Sequence, residues 1–298
     1  PYYERFLAAF PTVQALAHAP EDAVMKQWEG LGYYRRARQL HKAAKEVVAQ
    51  HGGQLPGSHT ALQQLPGIGP YTARAVASFA FGEQVAVLDG NVYRVLSRLY
   101  DDTPPTQGTA GARHYQALAD ELLGTDAPSA AFNSAMMDLG ATVCTPTSPS
   151  CGRCPLQPWC QAYARSTIPQ RPVKAARKAR PIRWYDFYLL YDEQGRLALR
   201  QRGNDSFWPG LWELPNEAIA SPAAPHPGQE RFRQKHAFTH FEMRIRVLQV
   251  QAAQVPALAA TAQAWVTPQQ AEAHYACSRA VQRILQQLDQ PPPQDLFS

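Results

Sequence analysis

The sequence predicts a helical domain over residues 1–168, a basic linker over 169–183 and an α+β domain over 184–298. Two observations lead to this fold class. Apolar residues recur at three- and four-residue spacing in the first part, whereas alternating, strand-like runs appear after the linker. A length of 298 residues is enough for two domains that each bury a core of their own.

The first part contains a series of segments with helical periodicity, separated by clusters of proline and glycine. Few β-branched alternating runs interrupt this series before residue 180. We predict helices near residues 3–9, 21–28, 35–50, 72–80, 91–99, 112–123 and 129–140.

The residue pattern changes after the linker, where strand-like runs appear. The runs YDFYLLY (185–191) and RLALRQR (196–202) flank a DEQG turn signal and predict two strands. The longest alternating stretch is FEMRIRVLQVQA (241–252), whereas SRAVQRILQQL (278–288) has helical periodicity. An α+β domain is therefore expected in the second part.

The net charge of +5 is concentrated in one segment. Residues 171–183 contain six basic residues and no acidic residue, while the first part is balanced and the second carries a net charge of −1. A polycationic segment between two nearly neutral domains is suited to tracking a phosphate backbone. A merely solvated spacer remains the alternative, because charged, proline-rich linkers are common.

Four of the five cysteines fall within seventeen residues, in the pattern C-x6-C-x2-C-x5-C. They are Cys144, Cys151, Cys154 and Cys160. This clustering indicates metal ligation in a reducing compartment rather than a disulfide framework. Thiolate ligands suit both zinc and iron–sulfur clusters, although all-thiolate zinc sites usually contain two CxxC pairs and this chain has one. We expect the isolated Cys277 to be a packed, inert thiol.

The segment LPGIGPYTA (65–73) combines a glycine turn with the start of a helix. Gly67 and Gly69 allow a tight turn, after which the unpaired N–H groups of the helix can bind a phosphate without reading sequence. About twenty residues later, LDGNV (88–92) places Asp89 at the start of another helix. The structural interpretation of Asp89 is that it caps the N-terminus of this helix. A capping carboxylate can have a functional role as well.

The hairpin, the aspartate segment and the cysteine spacing together resemble the helix-hairpin-helix base-excision glycosylases of the endonuclease III and MutY superfamily. The resemblance implies that the four cysteines ligate a [4Fe–4S] cluster. It also implies that Asp89 faces the sugar of an extruded nucleotide, offsetting positive charge at C1′, and that Asn91 supports it. Tyr71 stands where glycosylase/lyases of this superfamily carry the lysine that forms a Schiff base, which favours a monofunctional glycosylase. Alternatively, Tyr71 only packs beside the hairpin.

Two further segments, GLGYYRRARQLHKAA (30–44) and AFNSAMMDLGATVC (131–144), look like the MutY family of adenine DNA glycosylases, which remove adenine mispaired with 8-oxoguanine. The resemblance implies that Leu31 and Tyr33 wedge into the duplex near 8-oxoguanine. Without it, both would be interpreted as core residues. The resemblance also implies that Asp138 lies near the adenine pocket, with a surface ion pair as the alternative, and that Arg153 approaches phosphate.

The second domain resembles the Nudix-like module of that family through FWPGLWELP (207–215) and HAFTHFEM (236–243). The family's 8-oxoguanine loop commonly has the sequence Phe-Ser-His, and here it is Phe238, Thr239 and His240. A Nudix hydrolase needs a glutamate-rich helix to hold Mg²⁺, and no such carboxylate array follows Pro215. We therefore expect this module to recognise the lesion and not to hydrolyse nucleotides.

Adenine leaves poorly as an anion, so its excision needs a proton donor. In the MutY family this is a glutamate upstream of the segment that matches Pro1, and Glu4 and Glu29 lack its context. The chain, which starts without Met, looks like a fragment, and we expect it to be inactive or barely active as written.

The leading hypothesis is a monomeric, monofunctional adenine glycosylase acting on double-stranded DNA with adenine opposite 8-oxoguanine or G. A non-catalytic DNA-binding iron–sulfur protein is the second hypothesis. An endonuclease III-like glycosylase/lyase is the third, and Tyr71 argues against it. We expect a bacterial cytoplasmic protein that is associated with the nucleoid through DNA.

Overall fold

The structure is a computed structural model that describes most of the chain. The described residues are 1–104, 106, 108–173, 179–203 and 207–288. The middle of the predicted basic linker, residues 174–178, lies outside them.

The chain divides into two compact units. The hairpin unit is Ala49–Arg177, and the sheet unit combines Pro1–Val48 with the described part of Lys178–Ser298. The division into compact units places the first helices with the C-terminal part of the chain. The sequence analysis, in contrast, assigns them to the first domain. The domain limits at 168 and 184 stay a prediction.

Helices form the first segment of the chain, as the periodicity predicts. They are α1 (Tyr2–Ala9), α2 (Val13–His18), α3 (Glu21–Gln27) and α4 (Arg35–Gln50). Helix α2 was not predicted, because its single turn and a half is too short to establish a periodicity. Its start is fixed locally, since the Thr12 side chain accepts a hydrogen bond from the Ala15 N–H at 3.0 Å.

The hairpin unit is also helical, which confirms the predicted fold class. Its helices are α5 (His59–Leu62), α6 (Pro70–Phe81), α7 (Gly90–Leu99), α8 (Gly108–Leu123), α9 (Ser129–Thr142) and α10 (Gln161–Ala164). The buried face of α7, with Val92, Val95 and Leu96, packs against Tyr115 of α8 and Met136 of α9. This core holds the start of α7, and with it Asp89, in a fixed position.

The C-terminal part of the sheet unit is built on a mixed β-sheet. Its strands are β1 (Ile182–Tyr191), β2 (Leu197–Gln201), β3 (Trp212–Glu213), β4 (Asn216–Ile219), β5 (Gln229–Ala237), β6 (Glu242–Gln251) and β7 (Ala264–Val266). Its helices are α11 (Pro256–Ala259), α12 (Pro268–His274) and α13 (Arg279–Gln287).

The strand order is β3-β2-β1-β6-β5, with β4 paired to β1 and β7 paired to β2. Strands β1 and β6 are parallel at the centre of the sheet, and the remaining pairings are antiparallel.

Both faces of the central strands are buried. Phe187 and Leu189 of β1 pack with α13 on one face, whereas Tyr188 and Leu190 pack on the other. A central parallel pair that is covered on both sides explains the nearly continuous apolar run in β1. The predicted strands 185–191, 196–202 and 241–252 are confirmed as β1, β2 and β6, and the predicted helix 278–288 as α13, with small differences at the ends.

In the described part of the chain, no helix combines the length and the apolar character that crossing a membrane would require.

A buried ion pair joins the two central strands. Asp186 and Arg246 are register partners, and the guanidinium donates two hydrogen bonds of 2.7 Å to the two carboxylate oxygens. The second Nη atom of Arg246 donates to the carbonyl groups of Pro222 and Ala224 at 2.9 and 3.0 Å. The hydrogen bonds that Arg246 donates to Asp186 hold the pKa of Arg246 above its usual value. The pair therefore ties the sheet to the loop that precedes β5.

We expect Arg246→Leu to lower the free energy of unfolding of the sheet unit by about 3–5 kcal/mol, because it leaves the Asp186 carboxylate buried without a partner. The matched control is Arg244→Leu on the same strand, whose pair with Glu242 is partly exposed; its cost should stay within about 1 kcal/mol. Guanidinium titration followed by tryptophan fluorescence measures both. Equal shifts in the two variants would contradict this account.

Candidate functional site

The glycine hairpin presents an exposed helix N-terminus. Gly67 lies in the left-handed region at φ 76°, and Gly69 is the N-cap of α6, followed by Pro70 at the first helical position. Leu65 anchors the turn in the core, and Ile68 N–H donates to its carbonyl group at 3.2 Å. Because Gly69 has no side chain that could cap the helix, the first N–H groups of α6 remain open to a ligand.

Asp89 is the N-cap of α7, as one of the two sequence interpretations predicted. Its Oδ1 atom accepts hydrogen bonds from the backbone N–H groups of Asn91 and Val92 at 2.8 and 2.7 Å. Its Oδ2 atom accepts one from the Asn91 side-chain amide at 3.1 Å. Asn91 therefore contacts both oxygens, and capping orients the carboxylate without consuming all of its acceptor capacity.

The chain segment that precedes Asp89 is held in place by a buried side chain that the sequence analysis did not identify. Asn133 of α9 accepts a hydrogen bond from Val87 N–H at 2.8 Å and donates to the Val85 carbonyl group at 3.0 Å and to Ser78 Oγ at 2.9 Å. The extended segment that leads into α7 thus has its backbone groups satisfied inside the core. An asparagine in a helical pattern gave no signal of this role.

Arg94, one turn into α7, is a second residue that the sequence did not identify. Its guanidinium is buried and donates to Asn91 Oδ1 at 2.8 Å, to the Gly140 carbonyl group at 2.6 Å and to the Cys144 carbonyl group at 2.7 Å. Burial lowers the pKa of Arg94, while the nearby Cys144 and Asp89 act in the opposite direction. Arg94 thereby connects the support of the carboxylate to the first cysteine.

Helices α7 and α9 approach each other closely where this connection is made. A Cβ atom at Gly140 would lie 2.6 Å from the Asn91 Cβ atom and 3.1 Å from the Asn91 backbone. Any larger residue would displace Asn91, so glycine is required at this position.

The four cysteines line one small cavity in the hairpin unit. Its walls are Val143, Cys144, Pro149, Cys151, Cys154, Gln157, Cys160, Tyr163 and Ile168. Two 3-10 turns, Cys151–Arg153 and Gln157–Trp159, curve the loop around it. Burial raises the pKa of the Cys151 and Cys160 thiols. Among the residues that the structure describes, no group of three or more His, Cys, Asp or Glu side chains is arranged so that it could hold a metal ion.

A second buried arginine reaches this cavity. Arg98 Nη1 lies 3.4 Å from Cys144 Sγ and donates to the Thr145 carbonyl group at 2.8 Å, and Nη2 donates to the Pro146 carbonyl group at 3.0 Å. The charge of Arg98 opposes the burial that raises the pKa of the Cys151 thiol. Four soft thiols around one cavity, with a cation beside them, are the donor set that a [4Fe–4S] cluster takes.

The predicted lesion-contacting residues are exposed in the sheet unit. Leu31 and Tyr33 are 38% and 71% exposed, so neither is the core residue that their local sequence alone suggests. Thr239 and His240 are exposed at the turn between β5 and β6, while Phe238 is half-buried behind them.

Three more predicted site residues lie on the surface of the hairpin unit. Tyr71 is exposed in the first turn of α6, Arg153 is exposed in the cysteine loop, and Asp138 is exposed on α9. The hairpin unit therefore contains Asp89, the hairpin and the cysteines, and the sheet unit contains the residues expected to contact 8-oxoguanine.

Three family models match the chain. The model of the HhH-GPD superfamily base excision DNA repair protein matches residues 1–113. The iron–sulfur binding domain of endonuclease III matches residues 144–160, which are bounded by the first and last cysteine of the motif. The NUDIX domain matches residues 187–287.

Curated relatives are similar over a large part of the chain. The adenine DNA glycosylase of Mus musculus is 36% identical over an alignment of 262 residues that covers 73% of this chain and 50% of the relative. That of Homo sapiens is 44% identical over 165 residues, 55% of this chain and 30% of the relative. The chain thus spans about half the length of the mouse protein. A solved thermostable thymine-DNA glycosylase is 28% identical with a TM-score of 0.50, covering 55% of this chain and 75% of that one.

The helical fold, the hairpin and the cysteine motif define a helix-hairpin-helix base-excision repair protein that binds a [4Fe–4S] cluster. With a NUDIX domain model matched as well, and with adenine DNA glycosylases among its relatives, the chain is similar to the MutY-like branch of this superfamily.

We expect Arg94→Leu to weaken retention of the iron–sulfur cluster, because three buried acceptors lose their donor at a cost of about 1–3 kcal/mol each. Visible absorbance of the cluster, followed with time in mild denaturant, and iron content measure the effect. The control is Arg153→Leu, which removes an exposed arginine from the cysteine loop itself. Equal cluster lifetimes in the two variants would show that Arg94 does not support the loop.

Proposed function

We propose that the protein is a monofunctional DNA glycosylase of base excision repair, which hydrolyses the N-glycosidic bond of adenine opposite 8-oxoguanine or G. The observation that carries the proposal is the Asp89 carboxylate, oriented by the α7 N-terminus and by Asn91 in a unit that also contains the hairpin. The names of the relatives, adenine DNA glycosylases, support the choice of base.

The hairpin would hold the DNA backbone. The N–H groups at the start of α6 point away from the helix, and the glycines at positions 67 and 69 let the chain approach a phosphate closely. Arg153, exposed in the cysteine loop, would contact a second phosphate. The cluster, held by Cys144, Cys151, Cys154 and Cys160, would supply structure by ordering the loop that carries Arg153.

The chemistry follows from the position of the carboxylate. With the duplex bent and adenine extruded, the bond from C1′ to the base breaks and positive charge develops at C1′. Asp89 would offset that charge, water would add to C1′ and lose a proton, and adenine would leave carrying a proton at N7. Asp138, exposed on α9, would lie at the adenine pocket.

The proton donor is a group other than Asp89, whose role requires it to be ionised. Glu29 is unsuited, because its two oxygens accept from Lys26 Nζ at 2.6 Å and from Cys277 N–H at 2.9 Å.

The absence of lyase chemistry follows from Tyr71. A lyase needs a primary amine that attacks C1′ and remains bound as a Schiff base. The phenol of Tyr71, exposed at the second residue of α6, cannot form one.

The sheet unit would recognise the base opposite adenine. Unlike guanine, 8-oxoguanine carries an oxygen at C8 and a hydrogen at N7. The exposed Thr239 hydroxyl can bond to this edge, and Leu31 and Tyr33 can intrude beside the base. The proposed partner is double-stranded DNA, and the protein is proposed to bind it as a monomer.

The test is single-turnover cleavage of a duplex with adenine opposite 8-oxoguanine. We expect Asp89→Asn to slow adenine release by about 10²–10³-fold, the usual cost of losing one electrostatic contact to a transition state. The matched control is Asp126→Asn, which neutralises an exposed carboxylate of the hairpin unit and should leave the rate unchanged. An undiminished rate in Asp89→Asn would refute the assignment.

Two other outcomes favour the alternatives. Lesion-selective binding without adenine release by the wild-type chain would mean that the scaffold is present without its proton donor, so that the chain as written acts as a non-catalytic DNA-binding iron–sulfur protein. A covalent protein–DNA adduct after borohydride reduction would mean a glycosylase/lyase and would exclude the monofunctional mechanism.

A further inference from the structure

Trp208 has a backbone conformation that bulky residues rarely adopt. Its φ of 53° lies in the left-handed region, and Gly210 follows at φ 75°. Leu211 N–H donates to the Trp208 carbonyl group at 3.2 Å, and Gly210 N–H donates to the Arg202 carbonyl group at 2.9 Å. A strained non-glycine residue persists only where its surroundings fix it, so the contacts of the Trp208 side chain are informative.

On one side, Trp208 supports the turn that carries Thr239. Its ring is 5.1 Å from that of Phe238 and meets His236 edge-on, also at 5.1 Å. Phe238 stacks on Phe241 at 4.4 Å, and Phe238 N–H donates to the Phe241 carbonyl group at 2.9 Å. Trp208 therefore packs behind a closed turn whose tip is exposed.

Trp208 also packs against a second cluster in the same unit. That cluster consists of Met25, Tyr34, Ala37, Leu211 and Ala276. Tyr34 directly follows Tyr33 in the chain, and its hydroxyl donates to the Cys277 carbonyl group at 3.3 Å. The segment that bears Tyr33 is thus fixed to the same surface on which Trp208 packs.

The ring of Tyr33 contacts the Arg36 guanidinium. The Arg36 guanidinium lies 5.5 Å from the ring centroids of both Tyr33 and Trp28. Trp28 packs against the same cluster as Trp208 and donates from Nε1 to the Gly32 carbonyl group at 3.2 Å. Tyr33, like Trp208, lies at a positive φ, here 49°. A series of contacts therefore runs from Tyr33 to the turn at Thr239: the cation contacts of Arg36 with Tyr33 and Trp28, the packing of Trp28 and Trp208 against one cluster, and the ring contact of Trp208 with Phe238.

We propose that Trp208 is a positioning residue that couples Tyr33 to Thr239, so that the two read the base opposite adenine as one unit. The proposal rests on the proposed function, in which both residues contact 8-oxoguanine. Trp208 itself acts through the turn and the cluster and does not touch the DNA. A residue that merely fills the core would change stability and the binding of all duplexes alike, whereas a positioning residue changes the preference between them.

The experiment compares the dissociation constants of the full chain for duplexes with A opposite 8-oxoguanine, A opposite G and A opposite T. We expect Trp208→Leu to reduce the preference for 8-oxoguanine over G by about three- to tenfold, the range of an aromatic pair. Binding to the A:T duplex should not change, and Trp208→Phe should restore part of the preference. The control is Trp265→Leu on β7, a half-buried tryptophan that packs on the other face of the sheet; it should keep the full preference.

A double-mutant cycle tests the coupling itself. The preference is measured for Tyr33→Leu, for Thr239→Val and for both together, in the wild-type and in the Trp208→Leu background. We expect the two losses to be non-additive in the wild type and to add independently without Trp208.

The outcomes separate the two proposals. A wild-type chain with no preference for 8-oxoguanine would refute the proposed function. A wild-type preference that survives Trp208→Leu, or that is lost together with A:T binding, would overturn the role of Trp208. If Trp208→Leu does not fold, additive losses for Tyr33→Leu and Thr239→Val in the wild type would overturn it as well.

Discussion

The buried guanidinium of Arg94 is the interaction on which the candidate catalytic site depends. It donates to the Asn91 side chain and to the carbonyl groups of Gly140 and Cys144, so helix α7, helix α9 and the cysteine loop share one charged group. A buried cation that lacks such acceptors is costly, and these three elements therefore have to adopt their positions together. The close packing at Gly140 reinforces the constraint. The cysteine motif and the Asp89 carboxylate are thus parts of one structural element, although more than fifty residues separate them in the chain.

The sheet unit combines a buried ion pair at its centre with aromatic contacts behind its exposed turn. It retains the sheet of a NUDIX domain, and Asp186 and Arg246 satisfy each other at its centre. Between Pro215 and Gln229 the described chain forms strand β4 and turns without a helix, and Glu217 is the one carboxylate of that segment. The exposed tip at Thr239 and the exposed Tyr33 lie in one compact unit because the first helices pack with this sheet.

The sequence predicted the elements whose pattern repeats and missed those fixed by single contacts. Periodicity identified α4, α6, α7 and α9 and the central strands β1 and β6, since each buries a regular face. Strand β5 was not predicted, because its sequence QERFRQKHA lies at the edge of the sheet and is largely polar. In the site, the motifs identified Asp89, the hairpin glycines and the cysteines. Arg94 and Asn133 had no such signal, because a polar residue in a helix is ordinarily solvated, and only the packing of α9 on α7 makes them structural. Trp208 was included in a motif, but its strained backbone cannot be inferred from residue type.

The central claim, that the cysteine loop holds the Asp89 carboxylate in place through Arg94, is tested most directly by amide hydrogen exchange. The informative protons are the backbone N–H groups of Asn91 and Val92, which Asp89 Oδ1 binds. Exchange is compared in the protein with its iron–sulfur cluster and after removal of the iron, with helix α13 of the sheet unit as an internal reference. The account predicts that both protons exchange faster once the iron is removed, while α13 keeps its protection. Unchanged protection at the start of α7 would contradict it, because the carboxylate would then be held independently of the cluster loop.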